Sequence, residues 1–577
     1  MKKRFKSSLV VKVSGMEVNS VKDQALALRD PAVVMDPYRI GAMHQTRISF
    51  VRSLLRKMTD EKWQIAIKTW AIEGSGFGTA IYTLTTPSHA YDLVVFSDAI
   101  KDEERNDRVI AEKWDVTFAL VNGQVTEQEL QMLRQNVPLQ EAGRNSPRVL
   151  VLSRANKSVR VFEHIVDSLS QGKQPDVDAI ANVGYILRTT AVYGNGKFGI
   201  ADFETLESNT DFSLSFSAQM CAVYILKQFS LDWVHFLGKT RGGAKATYLS
   251  PQLQRYIGIG NATGLGMAPY LIRHPRVVDN WLYQRELALA SVSSCVTDDD
   301  AKARVIKWLE KAKTHLRQVV TIDEHQRGLN AQTVRELPRL IAFVRDSGSD
   351  DVWKSVLAEA NVFSLETQEV LIASLLEAYP ERVDTYADDM NTDESVALTP
   401  GVSVADMLLL LESRYRWALD IDFQDANCKY WFWYRSVDKE EPRMGVRGAE
   451  PGEHHELPLD IGRQVSRFHQ VLNSADSEGS LAQFLLKHPE YRLIARRVWT
   501  LGNCPMGDIQ INVLDKHVLP MHLLRCKLAM FGATKFDPRS DRWVRVTLFQ
   551  GAPLASETSN GVATDDWLFP LLPVEEA

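Results

Sequence analysis

The chain has 577 residues, 45% of them apolar and 24% charged, a formal net charge of -6 and a pI near 6.2. That balance excludes wholesale disorder and a general nucleic-acid coat, which needs a positive field, and the length implies two to four domains. No window approaches the roughly 20 apolar residues that cross a bilayer, and Cys221, Cys295, Cys428, Cys504 and Cys526 lack any CxxC spacing. A reducing, cytoplasmic setting follows from that cysteine usage, and a disulfide framework does not.

The chain opens on Met1, Lys2, Lys3 and Arg4 like a signal-peptide head, but Lys12 breaks the apolar stretch after Leu9, Val10 and Val11. One strand is expected at 9–13. Residues 44–58 read as an amphipathic helix with Ile48, Val51, Leu54 and Leu55 on one face. The period then changes. Strands are expected from Trp63, at 79–85 and at 91–96, with a turn at 86–89, which makes an antiparallel meander. A glycine-rich hairpin, Gly74 to Gly78, joins the first two.

A strand at 114–121 is followed by Thr126 and Glu129, spaced as a capping box, and by Pro138, which should close that helix. Another short strand is expected at 148–152. Val159, Phe162, Val166 and Leu169 make a helical stripe, with Gly172 at the C-terminal cap. Further helices are expected at 176–188, 215–228 and 231–237, and almost continuously from 298 to 379, where Asp298, Asp299 and Asp300 suit the positive end of a helix dipole. Residues 387–402 form an acidic, aperiodic linker ending in Pro400 and Gly401. Beyond it helices are expected at 404–417, 459–472, 481–487 and 491–501, and strands at 430–435 and 543–549. The apolar stretch from Trp567 to Pro573 should dock onto the body.

The fold class is therefore α+β. Its expected parts are a 1–172 domain with an antiparallel sheet, a mainly helical 173–386 domain carrying two glycine-rich loops, the 387–402 linker, and a 403–577 α+β domain.

The two glycine stretches carry the chemical interest. Gly194, Gly196 and Gly199 fit the spacing GxGxxG, but the preceding segment is helical in period and no GK[ST] ending is present. Neither a dinucleotide fingerprint nor a Walker loop is supported. The backbone amides there, with Arg188 and Lys197, would instead suit an anion. The second stretch has four glycines in nine residues, Gly258 to Gly266. It reads as a tight loop feeding a short helix at 267–272, whose N-terminal amides attract negative charge. Gly260, Asn261, Thr263 and Gly264 would orient a carboxylate or phosphate. The plainer alternative is close packing and positive-φ turns.

His274, expected to end that short helix, is sited for acid–base work or for capping the helix. His235 lies in an apolar run and reads as a satisfied core histidine. Cys504 sits in the turn Gly502 to Asp508 as a candidate nucleophile, or as an inert buried thiol. His517 and His522 do not have the i, i+4 spacing of a helical metal pair, and no other ligand spacing is legible, so no metal is expected. The aromatic run at 430–435 reads as a buried strand or as a base-stacking platform.

The first functional reading is a cytoplasmic enzyme acting on a small anionic metabolite held between the two glycine stretches. Arg188 and Lys197 would bind its acid group and His274 would move a proton. The cofactor and the reaction are not legible, and a homo-oligomer stays open. The alternative is an accessory protein that binds a protein partner through its helical middle; a single-strand-binding role for the aromatic run is a third reading.

Overall fold

The computed structural model describes the chain apart from residues 1–25, 101–113, 137–145, 193–208, 215, 265–270, 273, 349–350, 391–396, 426–431, 437–441, 446–455, 511–512, 514–523, 540–542, 563–565 and 574–577. Alternating β-branched and aromatic residues build β1 (Gln64–Ile72), β2 (Gly78–Thr85) and β3 (Ala90–Ser97), which pair antiparallel as the expected meander. The Thr86 amide donates to the His89 carbonyl at 2.8 Å and closes the turn between β2 and β3. β4 (Val116–Asn122) and β5 (Val149–Lys157) continue the antiparallel order. Between them the capping box forms. The Glu129 amide donates to Thr126 Oγ1 at 3.2 Å, and the Thr126 amide donates to Glu129 Oε2 at 2.9 Å, at the head of the Glu127–Asn136 helix. Pro138 and the strand expected at 9–13 lie outside the described residues.

Two expectations are corrected here. Residues 176–188 are not one helix. A Val177–Val183 helix stops at Gly184, whose φ of +87° is left-handed, and β6 (Tyr185–Thr189) follows. The stretch 258–264 is not a loop either: it is β7 (Gly258–Gly264), with pairing strands on both sides. β8 (Phe432–Ser436), β9 (Pro442–Gly445) and β10 (Glu456–Pro458) form a separate three-stranded sheet in the order β10-β8-β9, and β8 takes up most of the aromatic run.

β11 (Ala533–Pro538) and β12 (Trp543–Leu548) complete the large sheet, whose nine strands run β1-β2-β3-β4-β5-β6-β7-β12-β11. Every pair in it is antiparallel except β6 with β7. The sheet thus runs through the boundaries expected at residues 172 and 402, because β7 needs a partner on its far side and residues 543–548 supply it.

The helices expected at 215–228 and 231–237 are one helix, Ser217–Gly242, buried on nearly all sides through its first half. A helix that is apolar all round belongs inside, and this one packs on β4 to β7 and on the Phe162–Ser170 helix. The opposite face of β2 to β5 holds a smaller core of Ile81, Val94, Phe96, Ala119 and Leu152, covered by Leu133 of the Glu127–Asn136 helix.

His235, on the long helix, is half-buried and hydrogen-bonded, where the sequence suggests a satisfied core histidine. The Leu249 amide donates to its Nε2 at 3.1 Å, so that nitrogen carries no proton, and burial pushes the imidazole down to about 4. Between that value and the ordinary 6.5 the unfolded chain binds the extra proton, so stability falls as pH falls through this window. We expect the loss to be about 2 kcal/mol, discounted for partial exposure. Urea titrations near pH 7 and near pH 4.5 should show the wild type losing that much more than His235→Gln; equal losses would reject the assignment.

The helical middle comprises Pro275–Ser293, Asp299–Gln318, Glu324–Asp346, Leu365–Ala378 and Pro380–Ala387, with Asp298 capping the second through the Ala301 amide at 2.7 Å. Residues 26–60, which include the Phe50–Asp60 helix, are riveted to it by ion pairs. Arg39 meets Glu369 at 2.8 Å and Arg52 meets Glu377 at 2.7 Å, both buried, Arg47 meets the half-buried Asp384 at 2.6 Å, and Arg285 of the helical middle itself meets Glu369 at 2.6 Å. Arg525 reaches Glu366 at 2.5 Å, at the head of the Arg525–Phe531 helix. The C-terminal helices Val404–Arg414, Ile461–Leu472, Leu481–Lys487 and Arg492–Gly502 fall close to their expected spans. Trp567, Leu568 and Phe569 dock onto the body, as expected. Among the described residues no helix is long and apolar enough to cross a membrane.

Candidate functional site at the carboxyl edge of β6 and β7

The parallel pair is the topological exception in the large sheet. β6 leads through the Ser217–Gly242 and Pro251–Tyr256 helices into β7, and both strands run the same way. Their last residues, Thr189 and Gly264, therefore leave the sheet at one edge. β12 starts at that edge, with Trp543 opposite Gly264, and β11 ends there. Side chains pin the exit of β6. Asn261, buried on β7, donates from Nδ2 to the Val192 carbonyl at 3.2 Å. Thr189 Oγ1 donates to the Arg154 carbonyl at 2.8 Å and accepts from the Ala191 amide at 3.1 Å.

Arg188 stands on β6, half-buried, with Asn156 of β5 and Gly260 of β7 as its register neighbours. Gly260 pairs with Thr547 and the residue two along, Ala262, with Arg545. Lys535 and Asp537 of β11 fall opposite Thr547 and Arg545, so these polar residues share one face of the sheet. Lys535 Nζ donates to the Ala181 carbonyl at 2.6 Å, and Arg545 Nη1 donates to the Asn182 carbonyl at 3.0 Å, capping the negative end of the Val177–Val183 helix. Burial, reinforced by Arg545 and Arg539 and opposed by Asp537, pushes the Lys535 ammonium down to about 8.

The glycines of β7 stand in a strand, where part of their backbone is taken up by pairing. Gly260 has a partner on both sides, Gly258 pairs with β6, and Thr263 and Gly264 pair with β12. Their role is close approach. A Cβ at Gly260 would lie 2.6 Å from the Tyr185 ring, and one at Gly258 would lie 2.3 Å from the Leu548 carbonyl oxygen. Gly194, Gly196, Lys197 and Gly199 lie outside the described residues, in the stretch that leaves β6.

His274 follows the helical residues Leu271 and Ile272, with residues 265–270 and 273 outside the described residues. It is the exposed residue immediately before Pro275, where the long Pro275–Ser293 helix begins, and its side chain does not cap that helix. One turn in, Asp279 is buried, and its Oδ1 accepts from the Met506 and Gly507 amides at 2.7 and 2.8 Å. Burial pushes the Asp279 carboxyl up to about 6, against the pull of the two amides and of Arg414 and Arg276. The turn that supplies those amides carries Cys504, so the structure brings the neighbourhoods of His274 and Cys504 together. Cys504 is half-buried there; its Sγ donates to the Thr500 carbonyl at 3.2 Å, and burial pushes the thiol up to about 12, which disfavours the thiolate. His517 and His522 lie outside the described residues.

Sequence reasoning missed Asp279, because one aspartate inside a helix carries no motif. It also missed a second polar group, the buried His44, Glu366 and Arg525 with the half-buried His315, whose members come from four distant stretches. Among the described residues no group of three or more His, Cys, Asp or Glu is placed to hold a metal ion. A hollow lined by Phe343, Asp346, Ser347, Gly348, Val352 and Ser355 lies on the helical middle, and none of the candidate residues lines it. No family model, no curated protein and no solved structure matches the chain.

Proposed function

We propose that the chain is an enzyme acting on a small metabolite that carries a carboxylate or phosphate, bound at the carboxyl edge of β6 and β7. One observation carries this reading: the parallel pairing sends the stretch after Thr189 and the stretch after Gly264 out of the sheet at a single edge. In open sheets containing parallel strands, ligands settle outside the carboxyl ends, where neighbouring chains part. This support comes from the architecture and is an analogy at the level of the fold. Arg188 holds the acid group by charge-assisted hydrogen bonds, with Lys197 joining it from the stretch after β6. His274 moves the proton, since histidine is the side chain that changes charge near neutral pH.

Thermal-shift screening against carboxylic acids, sugar phosphates and nucleotides tests the proposal. A ligand at about 100 times its dissociation constant adds roughly 2.7 kcal/mol of stability. Arg188→Ala and Lys197→Ala should abolish that shift, whereas His274→Ala should keep the shift and lose turnover. A panel without a hit, or a hit indifferent to Arg188 and Lys197, would transfer the weight to the accessory-protein reading, for which capture of a protein partner is the next experiment.

A further inference from the structure

We propose that residues 566–573 form an acid-released strap, held on the Asp299–Gln318 helix by His44 and His315, which grip the Phe569 ring from two distant parts of the chain. The centroid of the Phe569 ring lies 5.7 Å from that of His44 and 5.8 Å from that of His315. His315 Nδ1 lies 2.8 Å from the Pro570 carbonyl oxygen. A carbonyl only accepts, so the proton is on Nδ1 and the neutral ring leaves Nε2 bare. The rest of the strap is anchored at separate points. Lys311 Nζ donates to Asp566 Oδ1 at 2.5 Å, the Leu572 amide donates to Gln318 Oε1 at 3.0 Å, and the Arg52 guanidinium sits 4.7 Å above the Trp567 ring. Phe569 has a φ of +54°, a left-handed conformation that a bulky residue adopts only under constraint.

The charges around the two rings decide what a proton does. Near His44 lie Glu366 at 3.3 Å, the Arg525 Nη2 at 3.1 Å and, further off, Glu369. Near His315 lie His44, Lys311 and Lys535. Beneath Trp567, Arg52 is paired with Glu377, and Asp566 faces Lys311 at the start of the strap. Burial, opposed by the hydrogen bond to the Pro570 carbonyl and reinforced by His44, Lys311 and Lys535, disfavours the imidazolium at His315 and pushes it down to about 4, while burial and Arg525 lower His44 against the pull of Glu366. When the strap lifts, both rings meet water and recover the ordinary histidine affinity for a proton. Acid therefore favours the lifted state, by about 30-fold near pH 5 from His315 alone. Lifting uncovers the apolar surface of Trp567, Leu568 and Phe569 and the pocket they fill.

Amide hydrogen exchange on the full chain, corrected for the intrinsic pH dependence of exchange, tests this. Between about pH 7.5 and about pH 5 the wild-type amides of 566–573 should lose at least about 10-fold in protection while those of β12 keep theirs. His44→Gln with His315→Gln preserves a donor for the Pro570 carbonyl and removes both titrations, so its strap should hold at the lower pH. Unchanged protection of the wild-type strap overturns the proposal. So does release that occurs only together with β12, which is global unfolding, and so does release in the double variant equal to that of the wild type. Should the double variant fail to fold, the comparison of strap with β12 in the wild type decides alone.

Discussion

Glu369→Ala should destabilise the chain by about 3–5 kcal/mol, the range for leaving a buried charge without its partner. Glu369 is fully buried on the Leu365–Ala378 helix and serves two guanidinium groups directly, Arg39 at 2.8 Å and Arg285 at 2.6 Å, with Arg29 at 4.0 Å. Burial alone would raise its carboxyl; Arg285, Arg29 and Arg39 together outweigh burial and hold it below the ordinary carboxylate value. Removing the carboxylate leaves Arg39 with the neutral Gln368 at 2.8 Å and Arg285 with the more distant Glu286 at 3.5 Å, in a medium that solvates cations poorly, while Arg29 keeps its pair with Glu286. Replacing it together with both close partners should cost much less. The informative comparison is Glu369→Ala against Glu369→Leu combined with Arg39→Met and Arg285→Met, in urea. A single variant within about 1 kcal/mol of wild type, or a triple variant as damaging as the single, would show that the ion pairs do not hold residues 26–60 to the helical middle.

The second large effect is expected at Gly258. A valine there would place Cβ 2.3 Å from the Leu548 carbonyl oxygen and 2.6 Å from Thr547 Cγ2. The first neighbour is backbone of the paired strand and cannot swing aside. Overpacking of this kind costs about 1–3 kcal/mol, and more where the register must break. The same change at Gly348, which has open space around its Cα, is the control and should cost little. Melting temperatures of the two variants settle the matter: a Gly258→Val protein as stable as wild type would mean that β7 is not tightly paired with β12.

That glycine shows why part of the fold was hidden. Four glycines in nine residues are turn grammar when read locally, and nothing within 257–266 says that a carbonyl and a tyrosine ring from elsewhere leave room only for hydrogen. The misreading of 176–188 has the same root. A helical period was extended across Gly184, although the following Tyr185, Ile186 and Leu187 are strand formers. What was legible rests on local physics. The alternation of β1 to β3, the Thr126–Glu129 box and the helices beyond residue 403 need no distant partner to be recognised. Of the candidate site, Arg188 and Asn261 stand on the neighbouring strands β6 and β7, in successive register rows. The ion pairs of Glu369, and Asp279 in its cradle of amides, depend on segments hundreds of residues apart. A charged residue destined for burial looks in the sequence like any surface charge.

The pairing of β7 with β12 also has a consequence for the order of events on the ribosome. β7 leaves the tunnel near residue 264, but the strand that covers its flank is not made until residue 548. At about 5–20 residues per second, the nascent chain exposes a bare strand edge for roughly tens of seconds. Such an edge recruits neighbouring chains when it is long and apolar. Gly258, Ile259, Gly260, Asn261, Ala262, Thr263 and Gly264 make a poor template, with little side-chain surface to offer. The glycines that fit the finished sheet so closely would also keep the unfinished one from sticking to its neighbours.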